Sequence, residues 1–177
     1  MGLKHLDNQN LEFTLKKFWI WNQSNLIENR TRGILAEFIV KEALNIKNGT
    51  RIEWDNYDLI TASGIKIEIK SASYIQSWKQ KEYSKISFDI EPKKMDSINP
   101  EFTGEYKRWS DFYVFCLLDC KNQTNINPLN LNQWTFYVLN TNTLDDKVPK
   151  QKRIRLNPLL KLQPIKCNFT ELKNVIK

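Results

Sequence analysis

The run Ile65-Lys66-Ile67-Glu68-Ile69-Lys70 alternates apolar and charged side chains without a break. Strand side chains repeat every two residues, so Ile65, Ile67 and Ile69 fall on one face and Lys66, Glu68 and Lys70 on the other. That is the signature of a half-buried β-strand. Upstream, residues 57–61 read as a second strand, and Ala62-Ser63-Gly64 fits a three-residue hairpin loop with Gly64 in the left-handed position. Counting outward from the loop opposes Thr61 to Ile65 and Asp58 to Glu68. Opposed residues share a face with Cβ atoms about 4.5–5.5 Å apart, so Asp58, Glu68 and Lys70 should converge on one patch. A slip of one residue would send Asp58 to the other face.

Two carboxylates held that closely repel each other unless a cation lies between them. Carboxylate oxygens, with water in the remaining positions, suit Mg²⁺, and Mn²⁺ as its substitute. Lys70, two residues along the same face, is within reach of a water or a phosphate oxygen held there. Other chemistries are excluded by composition. The single histidine, His5, stands in a polar terminus, which argues against Ser-His-Asp or Cys-His catalysis, histidine-ligated zinc and histidine-based nucleases. Cys116, Cys120 and Cys167 lack a paired CxxC spacing and read as buried free thiols.

Residues 31–45 read as a helix: Ile34, Leu35, Phe38, Ile39 and Ala43 form a broad apolar arc, Thr31 is the candidate N-cap, and Gly49 can close the C-terminal end. Glu37 falls at the margin of that arc. It reads either as a solvated helix glutamate or as a neighbour of the hairpin that joins the carboxylate patch.

With Glu37 on a helix, Asp58, then Glu68-Ile69-Lys70 ten positions later and Gln76 beyond it, residues 31–78 resemble the PD-(D/E)xK nuclease superfamily, the restriction-endonuclease-like proteins. Tyr57 stands where the name-giving proline would be. The resemblance implies that Asp58 and Glu68 hold a catalytic metal with Glu37 beside it. It implies that Lys70 positions or activates the attacking water, and that Gln76 is the glutamine that some branches place after the lysine. Asp55 competes with Asp58 for the first role, but Asp55-Asn56 reads as a turn. The expected fold is α/β (α+β mixed), a central mixed β-sheet flanked by helices around a restriction-endonuclease-like core. The expected activity is Mg²⁺-dependent hydrolysis of DNA phosphodiester bonds by an endonuclease of restriction, defence or mobile-element type. Duplex DNA is the expected substrate, and a homodimer is expected because cutting two strands with one site each favours a twofold. The competing readings are a non-catalytic nucleic-acid-binding module on a nuclease-like scaffold, and a structural protein whose Glu68 and Lys70 are an exposed charge pair.

The whole composition agrees with a polyanion partner. At 177 residues, with 41% hydrophobic and 27% charged residues, the chain reads as one domain: an N-terminal helical cover over 1–30, a catalytic core over 31–120, and C-terminal strands and a helix over 121–177. Its net charge of +7, from 27 Lys and Arg against 20 Asp and Glu, favours nucleic acid through counterion release. The candidate contacts are Arg30 and Arg32 at the start of the helix, Ser71 and Ser73 after Lys70, Lys107 and Arg108 in an irregular stretch over 93–109, and Lys150, Lys152 and Arg153 in the densest basic run. That run reads equally as an edge strand guarded by lysine. No signal peptide and no apolar run of membrane-spanning length is visible, which points to the cytoplasm.

Among the other elements, a helix over 11–21 is expected to lie across the core. Strands are expected over 86–90, 112–118 and 134–139, the second of them central and buried on both faces. Residues 73–83 are expected to supply a short crossover helix unless strands take its place. Residues 140–146 read as a polar connection, and 171–177 as a closing helix.

Overall fold

The continuous apolar run at 112–118 is the strand around which the chain packs. In the computed structural model, which describes residues 14–47, 51, 56–94 and 106–177, Phe112–Leu118 (β6) buries Val114, Cys116 and Leu118 on one face and Tyr113, Phe115 and Leu117 on the other. Lys66–Ser73 (β2) runs parallel to it on one side and Trp134–Asn140 (β7) antiparallel on the other. Leu59–Ile60 (β1) and Ile165–Cys167 (β9) complete a five-stranded mixed sheet in the order β1-β2-β6-β7-β9. The fold is thus mixed α/β (α+β), a central mixed sheet flanked by helices.

Two apolar layers hold the sheet. On one face, Ala36, Ile39 and Val40 of Asn29–Ala43 (α2) and Leu172 of Leu172–Val175 (α5) pack on Ile67, Ile69, Val114 and Phe136. On the other, Ser87–Asp89 (β3) pairs with Arg153–Arg155 (β8) in a separate ribbon. Its Phe88 and Ile154 join Leu144 of Thr141–Lys147 (α3) and Leu159 of Leu156–Lys161 (α4) against Tyr113, Phe115 and Leu117. The Phe88 and Phe115 rings meet edge to face at 5.1 Å. Lys93–Lys94 (β4) pairs with Tyr106–Lys107 (β5).

Several expectations change. Leu15–Gln23 (α1) does form, capped by Thr14, but none of its residues is buried, so it does not lie across the core. Four adjacent large side chains, Phe18 to Trp21, point around the whole circumference of a helix and give it no single face to bury. In α2 the N-cap is Glu28, whose carboxylate accepts from the Arg30 and Thr31 N–H groups, and Thr31 lies inside the first turn. The left-handed residue after α2 is Asn45, at φ 54°.

Residues 74–83 form bends and irregular backbone and no helix, and among the described residues the connection from β2 to β6 contains only β3, β4 and β5. α3 replaces the polar connection expected at 140–146, with Asn140 as its cap. Leu11, Phe13, His5, Gly49 and Asp55 lie outside the described residues, as does most of the 93–109 stretch. No described helix is long and apolar enough to cross a membrane.

Candidate active site

The hairpin has the register that its loop length dictates. Leu59 pairs with Ile67 and Ile60 with Lys66; the Thr61 N–H donates to Ile65 O at 2.9 Å, and Gly64 takes φ +88°. β1 is only two residues long, and beyond it the regular ladder stops. The Asp58 N–H still donates to Ile67 O at 3.0 Å, and its carboxylate then folds over the strand, with Oδ2 accepting from the Ile69 N–H at 2.6 Å. A side chain therefore takes the place of a strand partner. From Glu68 onward no strand among the described residues lies beside β2 on this side.

Glu68 and Lys70 lie on the face of β2 that looks toward β3. Glu68 is buried beside Tyr113, its parallel partner, and Lys70 Nζ donates to Glu68 Oε1 at 2.5 Å. Lys93 Nζ reaches the same oxygen at 3.4 Å. Burial and the Glu68 carboxylate push the Asp58 carboxyl up to about 7, although Lys70 and the Ile69 N–H pull the other way. Burial works to lower Lys70, but the Glu68 and Asp58 carboxylates outweigh it and hold its pKa above the ordinary value. The patch consequently holds two carboxylates in mutual repulsion and one firmly charged ammonium.

Glu37 reaches the Asp58 side of this patch, since its carboxylate contributes to the rise of Asp58, but Arg51 holds both of its oxygens, at 2.5 and 3.1 Å. Gln76 is placed elsewhere. It is buried, its amide donates to Ser73 O at 2.9 Å, and its carbonyl oxygen accepts from Arg32 Nη1 at 3.4 Å, so it bonds to neither Lys70 nor Glu68. β2 runs on to Ser73, which carries the chain about 10 Å past Lys70 before it turns.

Among the described residues no three His, Cys, Asp or Glu side chains are grouped to hold a metal ion. Asp58 and Glu68 are the pair that could hold one. They offer only hard oxygens, and Mg²⁺ typically takes one or two carboxylates and fills its shell with water and phosphate oxygens. A carboxyl whose proton is retained to about pH 7 beside a second carboxylate marks a place where added positive charge is favourable.

The expected nucleic-acid contacts separate into three kinds. Lys107, over the Trp109 ring at 4.2 Å, and Lys150 are exposed, as is Lys152, which pairs with Glu91 at 2.7 Å. Arg30 is exposed at the first turn of α2. Arg32, Ser71, Ser73 and Arg153 line one cavity. Arg108 departs from expectation: its side chain is fully buried, with Nη1 paired to Asp145 and its other nitrogens donating to carbonyls of Ile90, Val148 and Gln151, so it has no surface to offer a ligand.

Two further residues belong to the neighbourhood. Asp89 lies close enough to act electrostatically on Lys70 and Tyr113, and Lys93 meets Glu68. Asp89 had a legible signal, since Ile86, Phe88 and Ile90 are the buried half of an alternation whose other half is Ser87 and Asp89. Lys93 had none beyond its charge. Its position depends on how β3 and β4 fold back over β2.

No curated protein matches the chain. The family model described as bacteriophage T4 endonuclease IV matches residues 8–156, a span that contains β1 to β8 and every side chain of the patch. The chain belongs to the bacteriophage T4 endonuclease IV family, a family of endonucleases.

Proposed function

We propose that the chain is a Mg²⁺-dependent deoxyribonuclease of PD-(D/E)xK type that hydrolyses DNA phosphodiester bonds at the open edge of β2. One observation carries this reading: in a member of an endonuclease family, Asp58, Glu68 and Lys70 come together at the end of a hairpin in the E-x-K arrangement. Asp58 and Glu68 hold the metal, with Mn²⁺ able to replace Mg²⁺, and Glu37 is near enough to contribute if Arg51 releases it. The metal supplies Lewis-acid neutralisation of the charge that grows on the phosphate in the transition state. Lys70 remains an ammonium, because its carboxylate neighbours hold the proton on it. Its part is accordingly to donate hydrogen bonds that orient the attacking water and to offset charge on a phosphate oxygen. Glu68, bonded to Lys70 at 2.5 Å, fixes where that ammonium points. The exposed basic residues Arg30, Lys107, Lys150, Lys152 and Arg153 hold DNA through its phosphates, so affinity falls steeply with added salt. A twofold pair of chains, cutting both strands in the cytoplasm in a defence or mobile-element setting, is the assembly that fits this chemistry.

Incubation with supercoiled plasmid, and separately with linear duplex, in Mg²⁺, in Mn²⁺ and in chelator tests the reading. Metal-dependent nicking or linearisation that is lost in Lys70→Ala and in Asp58→Asn is the expected result. Cleavage that persists in chelator would sink it, and so would cleavage unaffected by either substitution.

A further inference from the structure

A second polar site lies at the other end of the same strand. Arg32, on the first turn of α2, is only 4% exposed. Its Nη1 donates to Ile27 O at 3.0 Å and to Gln76 Oε1 at 3.4 Å, its Nη2 donates to Asn29 Oδ1 at 2.8 Å, and its Nε is buried without a partner. Every one of these acceptors is neutral. The nearby Glu28 carboxylate is engaged by the N–H groups of Arg30 and Thr31 and attracts Arg32 only through space. A buried charge without a bonded counter-charge costs several kcal/mol. An anion that reached it would offset that cost.

The space for that anion is present. Arg32 lines a cavity of about 310 Å³, together with Ser71 and Ser73 on β2, Lys85 and Ser87 at β3, and Arg153 on β8. Such a volume is at the small end of ligand pockets. Its polar lining comprises hydroxyls, the Asn29 and Gln76 amides and three cations, and the hydroxyls and cations are a donor set with the chemistry of a phosphate site. Strand geometry adds a backbone donor. N–H groups alternate between the two sides of a strand, so the Ser71 N–H points to the same open edge as the Ile69 N–H that meets Asp58. Ser71 also directly follows Lys70 in the chain.

We propose that this cavity is a phosphate subsite that seats an internal backbone phosphate of the nucleic acid next to the one being cut. The identity of the ligand rests on the nuclease reading; the existence of an anion site does not. In the subsite Lys85 and Arg153 close over the phosphate from the β3–β8 ribbon, the Ser71, Ser73 and Ser87 hydroxyls donate to its oxygens, and Arg32 supplies fixed positive charge from behind. Gln76 is the positioning residue for Arg32, since its own amide is tied to Ser73 O.

The test uses the full chain in chelator, so that no cutting intervenes. Inorganic phosphate at constant ionic strength should raise the Tm of the wild type. The double variant Lys85→Ala/Arg153→Ala should lose that rise and bind a short oligodeoxynucleotide roughly tenfold or more weakly by fluorescence anisotropy. Arg32→Lys, which keeps the charge but not the fork, should bind it more weakly than wild type as well. Lys166→Ala/Lys173→Ala removes the same charge from β9 and α5, outside the cavity, and should stay within about twofold of wild type. Removing the 5′ phosphate of the oligonucleotide should change nothing, because the ligand is the internal diester. Phosphate stabilisation equal in the double variant and the wild type would overturn the proposal, as would undiminished oligonucleotide binding. If the wild type binds in this way but cuts no plasmid with Mg²⁺, the nuclease reading fails while the subsite stands.

Discussion

Two arginines are buried in this chain, and they are buried for opposite reasons. Arg108 is enclosed by partners: the Asp145 carboxylate takes Nη1, Ile90 O takes Nε at 2.9 Å, and Val148 O and Gln151 O take Nη2 at 3.2 and 3.3 Å. It ties the end of β3, the approach to β6 and the turn after α3 into one unit, and its charge has no remaining capacity. Arg32 has only neutral acceptors and an unpartnered Nε, and it lines a cavity with Ser71 and Ser73 of β2, the strand that also carries Glu68 and Lys70. The Arg108 region is electrostatically complete, while the β2 edge is held in an arrangement that is unfavourable until something binds. Such incompleteness on one strand is what the proposed site requires.

The largest effect should come from the open edge. Lys70→Ala and Glu68→Gln should each lower the plasmid cleavage rate by about a hundredfold or more, the usual consequence of removing one preorganised charge from a transition-state site. Their far-ultraviolet circular dichroism should match the wild type. Near wild-type cleavage by either variant would move the active site away from β2.

Stability should separate the two arginines next. Arg108→Met takes a donor from Asp145 and from the carbonyls of Ile90, Val148 and Gln151, of which Val148 O keeps the Gln151 N–H, at a cost of about 2–4 kcal/mol in denaturant unfolding. Arg32→Met removes a buried charge that no carboxylate bonds, a change that is often neutral or stabilising, so its cost without ligand should be smaller by about 2 kcal/mol. Equal losses for the two would dissolve the contrast between a closed cross-link and a poised one.

The third effect is a pH dependence. Asp58 titrates at about 7 in the fold and at about 3.9 in an unfolded chain. The folded state therefore binds this proton more tightly, so the stability it confers is complete below about pH 4 and is lost as pH rises toward about 7. Because Asp58 is only half-buried, solvent screening limits the loss to about 1–3 kcal/mol. In chelator, Asp58→Asn should therefore melt at a higher temperature than wild type at pH 8, with the gap closing toward pH 4.5. Burial sets this shift first, Glu68 and Glu37 add to it, and Lys70 and the Ile69 N–H oppose it. Parallel melting curves across that range would mean that the fold does not raise the Asp58 carboxyl.

What could be read from the sequence follows from how local each signal is. The hairpin was legible because a three-residue loop and a strict alternation determine a register without help from the rest of the chain, and β6 was legible because an unbroken apolar run has no other use. α3 was not, since Thr141-Asn142-Thr143-Leu144-Asp145-Asp146-Lys147 buries only Thr141 and Leu144 and looks like a loop. Gln76 looked close to Lys70 by spacing, but the straightness of β2 carries it away. Arg108 stood in a basic stretch and read as surface; only the fold of α3 and the turn after it, both distant in sequence, enclose it.

The smallest effect tests the border between the two kinds of region. Lys93 and Lys70 both meet Glu68 Oε1, but Lys93 does so at 3.4 Å with 56% of its side chain exposed, against 2.5 Å and 19% for Lys70. An ion pair that long and that well hydrated contributes only a few tenths of a kcal/mol, so Lys93→Ala should leave the Tm unchanged within about a degree. Its functional effect should have the opposite sign to that of Lys70→Ala. Lys93 competes with a divalent cation for the same carboxylate oxygen, so removing it should lower the Mg²⁺ concentration for half-maximal cleavage by about twofold, with the saturated rate unchanged. A saturated rate that falls by about a hundredfold instead would place Lys93 beside Lys70 in the transition state, and the open edge would then extend across β4.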